Sequence, residues 1–241
     1  MSGAGGDEIE AYLARPLADH RRGGVVVIHH MPGYDRATKE MTRRFAAMGY
    51  DALCPNLFWR EAPGADPDDA SAVARALGGA PDERLVGDVA AAADHLRHLP
   101  ESTGRIGVIG HCSGGRQAVL TACQVQVDAV VDCYGAYVTG DPPPDWPLRV
   151  TNLVPILPNL SAPVLGLFGN EDRTPSPQHV DEFGLQDATV RQHDGLRIVF
   201  FERDLGLAEL LVAVVRGERR LLQLRHLADP LIDALLGVGR V

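Results

Sequence analysis

Apolar and polar positions along this chain fall into two alternating rhythms. Gly24-Val25-Val26-Val27-Ile28-His29 is a continuous apolar run of the length expected for a strand buried on both faces. Ala37 to Met48 then carries apolar residues at helical spacing, and Tyr50-Asp51-Ala52-Leu53-Cys54-Pro55 reads as a second strand. Pro63 to Asp69, rich in Gly, Pro and Asp, reads as a loop. Beyond it, Ala-rich Leu85 to Leu99 is expected as a helix and Arg105 to Gly110 as a strand, with further strands at Ala129 to Tyr134 and Ala162 to Phe168. Strands that alternate with helices imply parallel pairing through crossover helices, hence an α/β fold with a mostly parallel central sheet flanked by helices. In such sheets ligands bind at the carboxyl ends of the strands. The proline-rich stretch Gly140 to Pro147 is expected as a surface loop near that edge.

Composition narrows the class of protein. With 241 residues and 45% hydrophobic content, residues 1–241 are expected to form a single domain with a full core. A formal net charge of −9 argues against nucleic acid or an anionic membrane as partner and leaves a small molecule as the expected one. The first residues lack a basic stretch followed by an apolar one, and no run approaches the length of a membrane span, so a cytoplasmic protein is expected. Cys54, Cys112, Cys123 and Cys133 show neither a C-x-x-C pair nor metal-ligand spacing. Three of them read as small core residues. The adjacent His29 and His30 point in opposite directions on an extended segment, which argues against joint metal ligation, and no metal site is expected.

Cys112 stands apart because of its setting, Gly107-Val108-Ile109-Gly110-His111-Cys112-Ser113-Gly114-Gly115. A β-branched strand leads into it, and Arg116 to Cys123 has helical composition, so Cys112 occupies a strand-to-helix junction in a G-x-C-x-G pattern. A sharp turn of this kind tolerates no Cβ where strand and helix pass close together, which accounts for Gly110 and Gly114. It lifts the thiol above the sheet and aims the backbone N–H of Ser113, at a helix N-terminus, toward any oxygen that becomes negative there. The pattern is that of a nucleophile elbow with cysteine in place of serine. Asp172, after the strand Leu165-Gly166-Leu167-Phe168-Gly169, falls where the acid of such a site belongs in the chain order nucleophile, acid, histidine. The same position also suits a turn aspartate capping the next helix, a reading the neighbouring Cys112 pattern outweighs.

From about Val25 to about Val180 the chain resembles the dienelactone hydrolase family of the α/β-hydrolase superfamily. The resemblance rests on Val25-Val26-Val27-Ile28-His29-His30-Met31-Pro32-Gly33, Cys54-Pro55-Asn56-Leu57, Gly110-His111-Cys112-Ser113-Gly114-Gly115 and Leu167-Phe168-Gly169-Asn170-Glu171-Asp172. It implies an α/β-hydrolase fold and a carboxymethylenebutenolidase-like enzyme that opens an enol-lactone or cleaves a small ester by a Cys-His-Asp mechanism, without metal or organic cofactor. Position by position it implies Cys112 as nucleophile, Asp172 as acid, and the backbone N–H groups of Met31 and Ser113 as the oxyanion hole. Well-known members carry a glutamate where this chain has His30, so the His-His-x-Pro-Gly version reads as a separate branch with His30 lining the site. A carboxylate on the substrate would need a cation, for which Arg60, Arg84 and Arg116 are candidates.

The pattern weakens from about residue 185 onward. Where the family places its catalytic histidine, the best-aligned stretch Asp194 to Phe201 puts Ile198. After Asp172 the chain has His179, His193 and His226, of which His193 is the best-placed substitute. From Arg191 to Val241 there is no serine, threonine, lysine, tyrosine or tryptophan, an atypical C-terminal tail of the kind a change of reading frame would leave. The alternative to an active hydrolase is therefore a family relative that binds a small ligand, or that acylates slowly and stalls because no histidine completes the triad.

Overall fold

The computed structural model describes residues 1–17 and 20–184 in full, and 188–193 and 196–201 as backbone. The elements run β1 (Ala11–Ala14), β2 (Arg22–Ile28), α1 (Arg36–Ala47), β3 (Asp51–Pro55), α2 (Pro67–Ala76), α3 (Asp82–Arg97) and β4 (Ser102–His111). They continue with α4 (Ser113–Ala122), β5 (Ala129–Cys133), β6 (Val164–Gly169), α5 (Pro177–Gly184), β7 (Ala188–His193) and β8 (Leu196–Phe201). Among the described residues one eight-stranded sheet has the order β1-β3-β2-β4-β5-β6-β8-β7. β3, β2, β4, β5 and β6 are parallel, whereas β1 at one edge and β8 and β7 at the other are antiparallel to their neighbours. This is the mostly parallel, helix-flanked sheet of an α/β-hydrolase fold.

The apolar run of β2 explains its central place. Val26 and Ile28 belong to the core packed under α3 and α4, while Val25 and Val27 belong to the core under α1 with Phe45, Ile109 and Val131. Both faces are covered, so alternation is absent from the sequence and every side chain contributes, at roughly 1.5–3 kcal/mol for each Val or Ile fully buried. At the amino ends of the strands, the buried Arg22 guanidinium donates to Asp51 at 2.9 Å, and Arg15 reaches the same carboxylate at 3.0 Å.

Two elements depart from the sequence reading. Pro67 opens α2 instead of continuing a loop, because Asp66 caps it by accepting from the Asp68 N–H and proline is well suited to the first helical position. β1 is a short, half-buried edge strand without a two-residue rhythm. The proline-rich excursion is irregular, as expected, and packs on the α2–α3 junction: Trp146 meets Tyr137 edge-on at 5.5 Å, and Arg149 donates to the Leu77 carbonyl at 3.1 Å. No helix among the described residues is long and apolar enough to cross a membrane.

Candidate active site

Cys112 joins β4 to α4 in a left-handed conformation, φ 55° and ψ −122°. A non-glycine residue there is strained, and the surrounding packing enforces it. A Cβ on Gly110 would lie 1.9 Å from the Gly114 carbonyl oxygen, and one on Gly114 would lie 2.6 Å and 2.8 Å from the carbonyl oxygens of Ile28 and His29. The helix thus enters directly against the end of β2. The Cys112 N–H donates to the Cys133 carbonyl at 2.9 Å, and the Gly115 N–H donates to the Cys112 carbonyl at 3.0 Å. The consequence is an exposed thiol at a helix N-terminus, whereas Cys54, Cys123 and Cys133 are buried. Burial pushes the Cys123 thiol up to about 11, and burial followed by the charge of Asp132 pushes Cys133 up to about 12.

The chain leaving β2 forms the second wall. His29 is buried with both ring nitrogens engaged: Nδ1 lies 2.8 Å from the His30 carbonyl oxygen, and Nε2 accepts the Leu57 N–H at 3.1 Å. These partners fix a neutral tautomer with the proton on Nδ1, and burial lowers the pKa to about 4. The His30 carbonyl also accepts the Gly33 N–H at 2.8 Å, closing a tight turn that carries Met31. His30 itself reaches the rim, with Nε2 3.1 Å from Asp35 Oδ2. Gly114 contacts the His29 carbonyl, so the Met31 turn and the Ser113 amide lie on neighbouring elements at one edge. Ser113 opens α4, where helix amides have no intrahelical acceptor.

Asp172 follows β6 at this same carboxyl edge and is exposed, with Oδ2 folded back to 2.8 Å from the position a Cβ on Gly169 would take. Between β5 and the excursion stands Tyr134, which the sequence reading missed. It has φ 49°, its N–H donates to the Leu167 carbonyl at 2.8 Å, and its ring meets His111 edge-on at 6.0 Å. Burial raises its phenol pKa, and the charges of Cys133, Cys112 and Asp172 add to the rise, so the hydroxyl shares a field with the cysteine and the carboxylate. Its only signal in the sequence was its place just beyond the carboxyl end of a parallel strand.

The histidines divide by place. His111 is depressed by burial and then by the charge of His30. His179 packs its ring on Gly140. His193 ends β7 opposite Leu196, which in turn pairs with Gly169 of β6, so its backbone reaches the carboxyl edge two strands from β6. Its side chain lies outside the described residues, as do His226 and the tail 202–241. Ile198 pairs with Leu167 inside β8.

The three arginines considered for a substrate carboxylate are already engaged by the protein. Arg60 grips Asp88 at 2.8 Å and 3.0 Å and Asp7 at 2.9 Å, and Arg84 pairs with Glu61. Arg116 donates to Asp82 at 3.0 Å and 2.8 Å and to the Thr151 carbonyl at 2.8 Å, tying the elbow helix to the loop beyond the excursion.

Comparison with known proteins agrees with the fold. A "Putative carboxymethylenebutenolidase" of Salmonella typhimurium is 35% identical over 72% of this chain, and the chain spans 63% of that protein's length, just under two thirds. A carboxymethylenebutenolidase of Pseudomonas putida is 38% identical over 46% of the chain and 49% of its own. Among solved structures, a "Putative Dienelactone Hydrolase" from Klebsiella pneumoniae subsp. pneumoniae superposes with a TM-score of 0.63 at 29% identity, covering 76% of this chain and 75% of its own. The model of the dienelactone hydrolase family matches residues 9–203, from before β1 to just past β8. The chain belongs to the dienelactone hydrolase family.

Proposed function

We propose that this protein hydrolyses small esters or enol-lactones with Cys112 as nucleophile. The observation that carries the reading is the exposed Cys112 thiol on a strained left-handed residue at the N-terminus of α4. The thiolate attacks the carbonyl carbon, and the Met31 and Ser113 amides receive the developing oxyanion. Asp172, and His193 at the same edge, are the acid and histidine that the family's chain order supplies for releasing the acyl group with water. The relative from Pseudomonas putida carries carboxymethylenebutenolidase in its name, which supports the lactone class for this chain too. A reducing compartment such as the cytoplasm would keep Cys112 a thiol.

Stopped-flow cleavage of p-nitrophenyl acetate beside Cys112→Ala tests the reading. A Cys112-dependent burst followed by steady turnover is expected. A burst without turnover would favour the stalled relative, a reading that Ile198 inside β8 supports. Equal release by both proteins would overturn the assignment of Cys112.

A further inference from the structure

We propose that the cavity at the carboxyl end of β3, lined by Glu10, Tyr34 and Lys39, binds a free α-amino acid with an apolar side chain. The proposal does not depend on Cys112 being the nucleophile, and none of the residues it uses belongs to the elbow.

Segments far apart in the chain meet at this cavity. β1 is antiparallel to β3 with Ala11 opposite Pro55, so Glu10 stands at the carboxyl end of β3, near Asn56 and Trp59 that follow that strand. Tyr34 comes from the segment between β2 and α1, Lys39 from the first turns of α1, and Pro67 opens α2. Together they line a cavity of about 440 Å³, within the range of small-molecule sites.

Its two charges are held apart. The Asn56 N–H donates to the Glu10 carbonyl at 2.9 Å, and the Asn56 side-chain amide donates to Glu10 Oε2 at 3.3 Å. That amide is oriented in turn, because Asn56 Oδ1 accepts the Phe58 N–H at 3.2 Å. Lys39 holds its ammonium over the Tyr34 ring, 3.9 Å from the centroid. Among the described residues no carboxylate lies within ion-pairing distance of Lys39, so an anion and a cation share one cavity without neutralising each other.

Tyr34 supplies the observation that points to a ligand. Its side chain is buried, with 5% exposure, yet among the described residues no hydrogen bond reaches its hydroxyl. A tyrosine buried to this extent ordinarily finds a partner for that group. Burial raises the phenol pKa, and the charges of Glu10, Cys54 and Tyr12 add to the rise, so the hydroxyl keeps its proton and can donate.

A zwitterion matches all three groups. Its carboxylate accepts from Lys39 and from the Tyr34 hydroxyl, while its ammonium donates to Glu10. Trp59 and Pro67 offer an apolar wall to the side chain. A simple anion would sit beside the Glu10 carboxylate and a simple cation beside Lys39, so repulsion acts against either.

The sole lysine of the chain makes the test direct, because protein isotope-labelled at the lysine ε-carbon reports on Lys39 alone. Titration with L-phenylalanine should move that signal saturably, half-way by about 1 mM. 3-Phenylpropionate lacks the amino group and 2-phenylethylamine lacks the carboxylate, and each should bind at least about tenfold more weakly. By calorimetry, Lys39→Gln should weaken phenylalanine binding roughly 10–100-fold, and Tyr34→Phe roughly 3–10-fold. Glu10→Gln should remove the advantage of phenylalanine over 3-phenylpropionate, and this exposed position keeps the test open if Tyr34→Phe fails to fold. Protein alkylated at Cys112 with iodoacetamide should bind as well as the unmodified protein. A Lys39 signal unmoved at about 10 mM phenylalanine would overturn the proposal. Equal binding of 3-phenylpropionate, or affinity unchanged by all three substitutions, would overturn it as well. Binding lost on alkylation of Cys112 would place the ligand at the elbow instead, with the same result.

Discussion

The Cys112 N–H donates to the Cys133 carbonyl at 2.9 Å, so the residue at the tip of the elbow is tied to β5 as well as carried by β4. Its left-handed geometry therefore depends on two strands and on the close entry of α4.

Gly114→Ala tests that dependence. The added methyl would meet the carbonyl oxygens of Ile28 and His29 at 2.6 Å and 2.8 Å, and backbone cannot swing aside as a flexible side chain can. A loss of roughly 1–3 kcal/mol is expected in urea unfolding, as for overpacked sites. Displacement of the thiol and the Ser113 amide should also slow the Cys112 burst by about 10²-fold. A variant as stable and as fast as wild type would show that the elbow can open without cost.

Native alkylation should be selective. Of the four cysteines only Cys112 is exposed. Iodoacetamide on the folded protein should give a single adduct at Cys112 by peptide mass spectrometry, and four adducts after denaturation. Early labelling of Cys54, Cys123 or Cys133 would contradict the burial described for them.

Arg60 is predicted to serve stability. Asp88 is fully buried, and its oxygens receive Arg60 and the Ala4 N–H. Arg60→Ala leaves that carboxylate buried without a cation, a loss expected to cost about 3–5 kcal/mol. Chemical denaturation checks the size of the loss. A stability change below about 1 kcal/mol, the range of surface pairs, would show that the pair behaves as a solvated one.

Two buried groups near the site should impose opposite pH dependences on stability. Burial raises Asp132 to about 7, against one hydrogen bond from the Gly135 N–H that lowers it. The folded state therefore holds a proton that the unfolded state has lost between about pH 4 and pH 7, and this contribution falls as pH rises through that window. His29, lowered to about 4 from an ordinary 6.5, does the reverse: the unfolded state binds the extra proton, so stability rises from about pH 4 to 6.5. The two slopes oppose each other where the windows overlap. Asp132→Asn removes one of them, and the wild-type stability minus that of the variant should fall with pH by about 1.4 kcal/mol per unit across the Asp132 window. A difference that stays flat from pH 4 to 7 in urea titrations would mean that Asp132 does not hold its proton in the fold.

What could be read from the residues alone follows from short-range sterics and burial. The five parallel strands announced themselves because a strand covered on both faces must be apolar throughout, as in Val25 to Ile28. The elbow was legible from its spacing, although only Gly110 answers a clash with atoms a few residues away, at Gly114, whereas Gly114 answers one with the distant carbonyls of Ile28 and His29. The loop expected at Pro63 to Asp69 yielded to α2 because Asp66 and Pro67, residue types common in turns, here supply the cap and the first position of a helix. β1 had no rhythm to read, since its pairing with β3 lies in backbone hydrogen bonds rather than in an apolar pattern.

By itself, then, the sequence determined the α/β class, the strand-to-helix turn at Cys112 and its kinship with the dienelactone hydrolase family, all of which rest on local patterns. Only the tertiary structure decided which side chains meet. Arg60 looked like a candidate for substrate and is held by Asp88, Tyr134 shares a field with Cys112 and Asp172, and His30 turns one nitrogen to Asp35 beside the thiol's strand. Charges and ring nitrogens find partners through chain segments far apart in sequence or through the sense of a turn, and desolvation then fixes their protonation. Neither quantity is carried by any single stretch of residues.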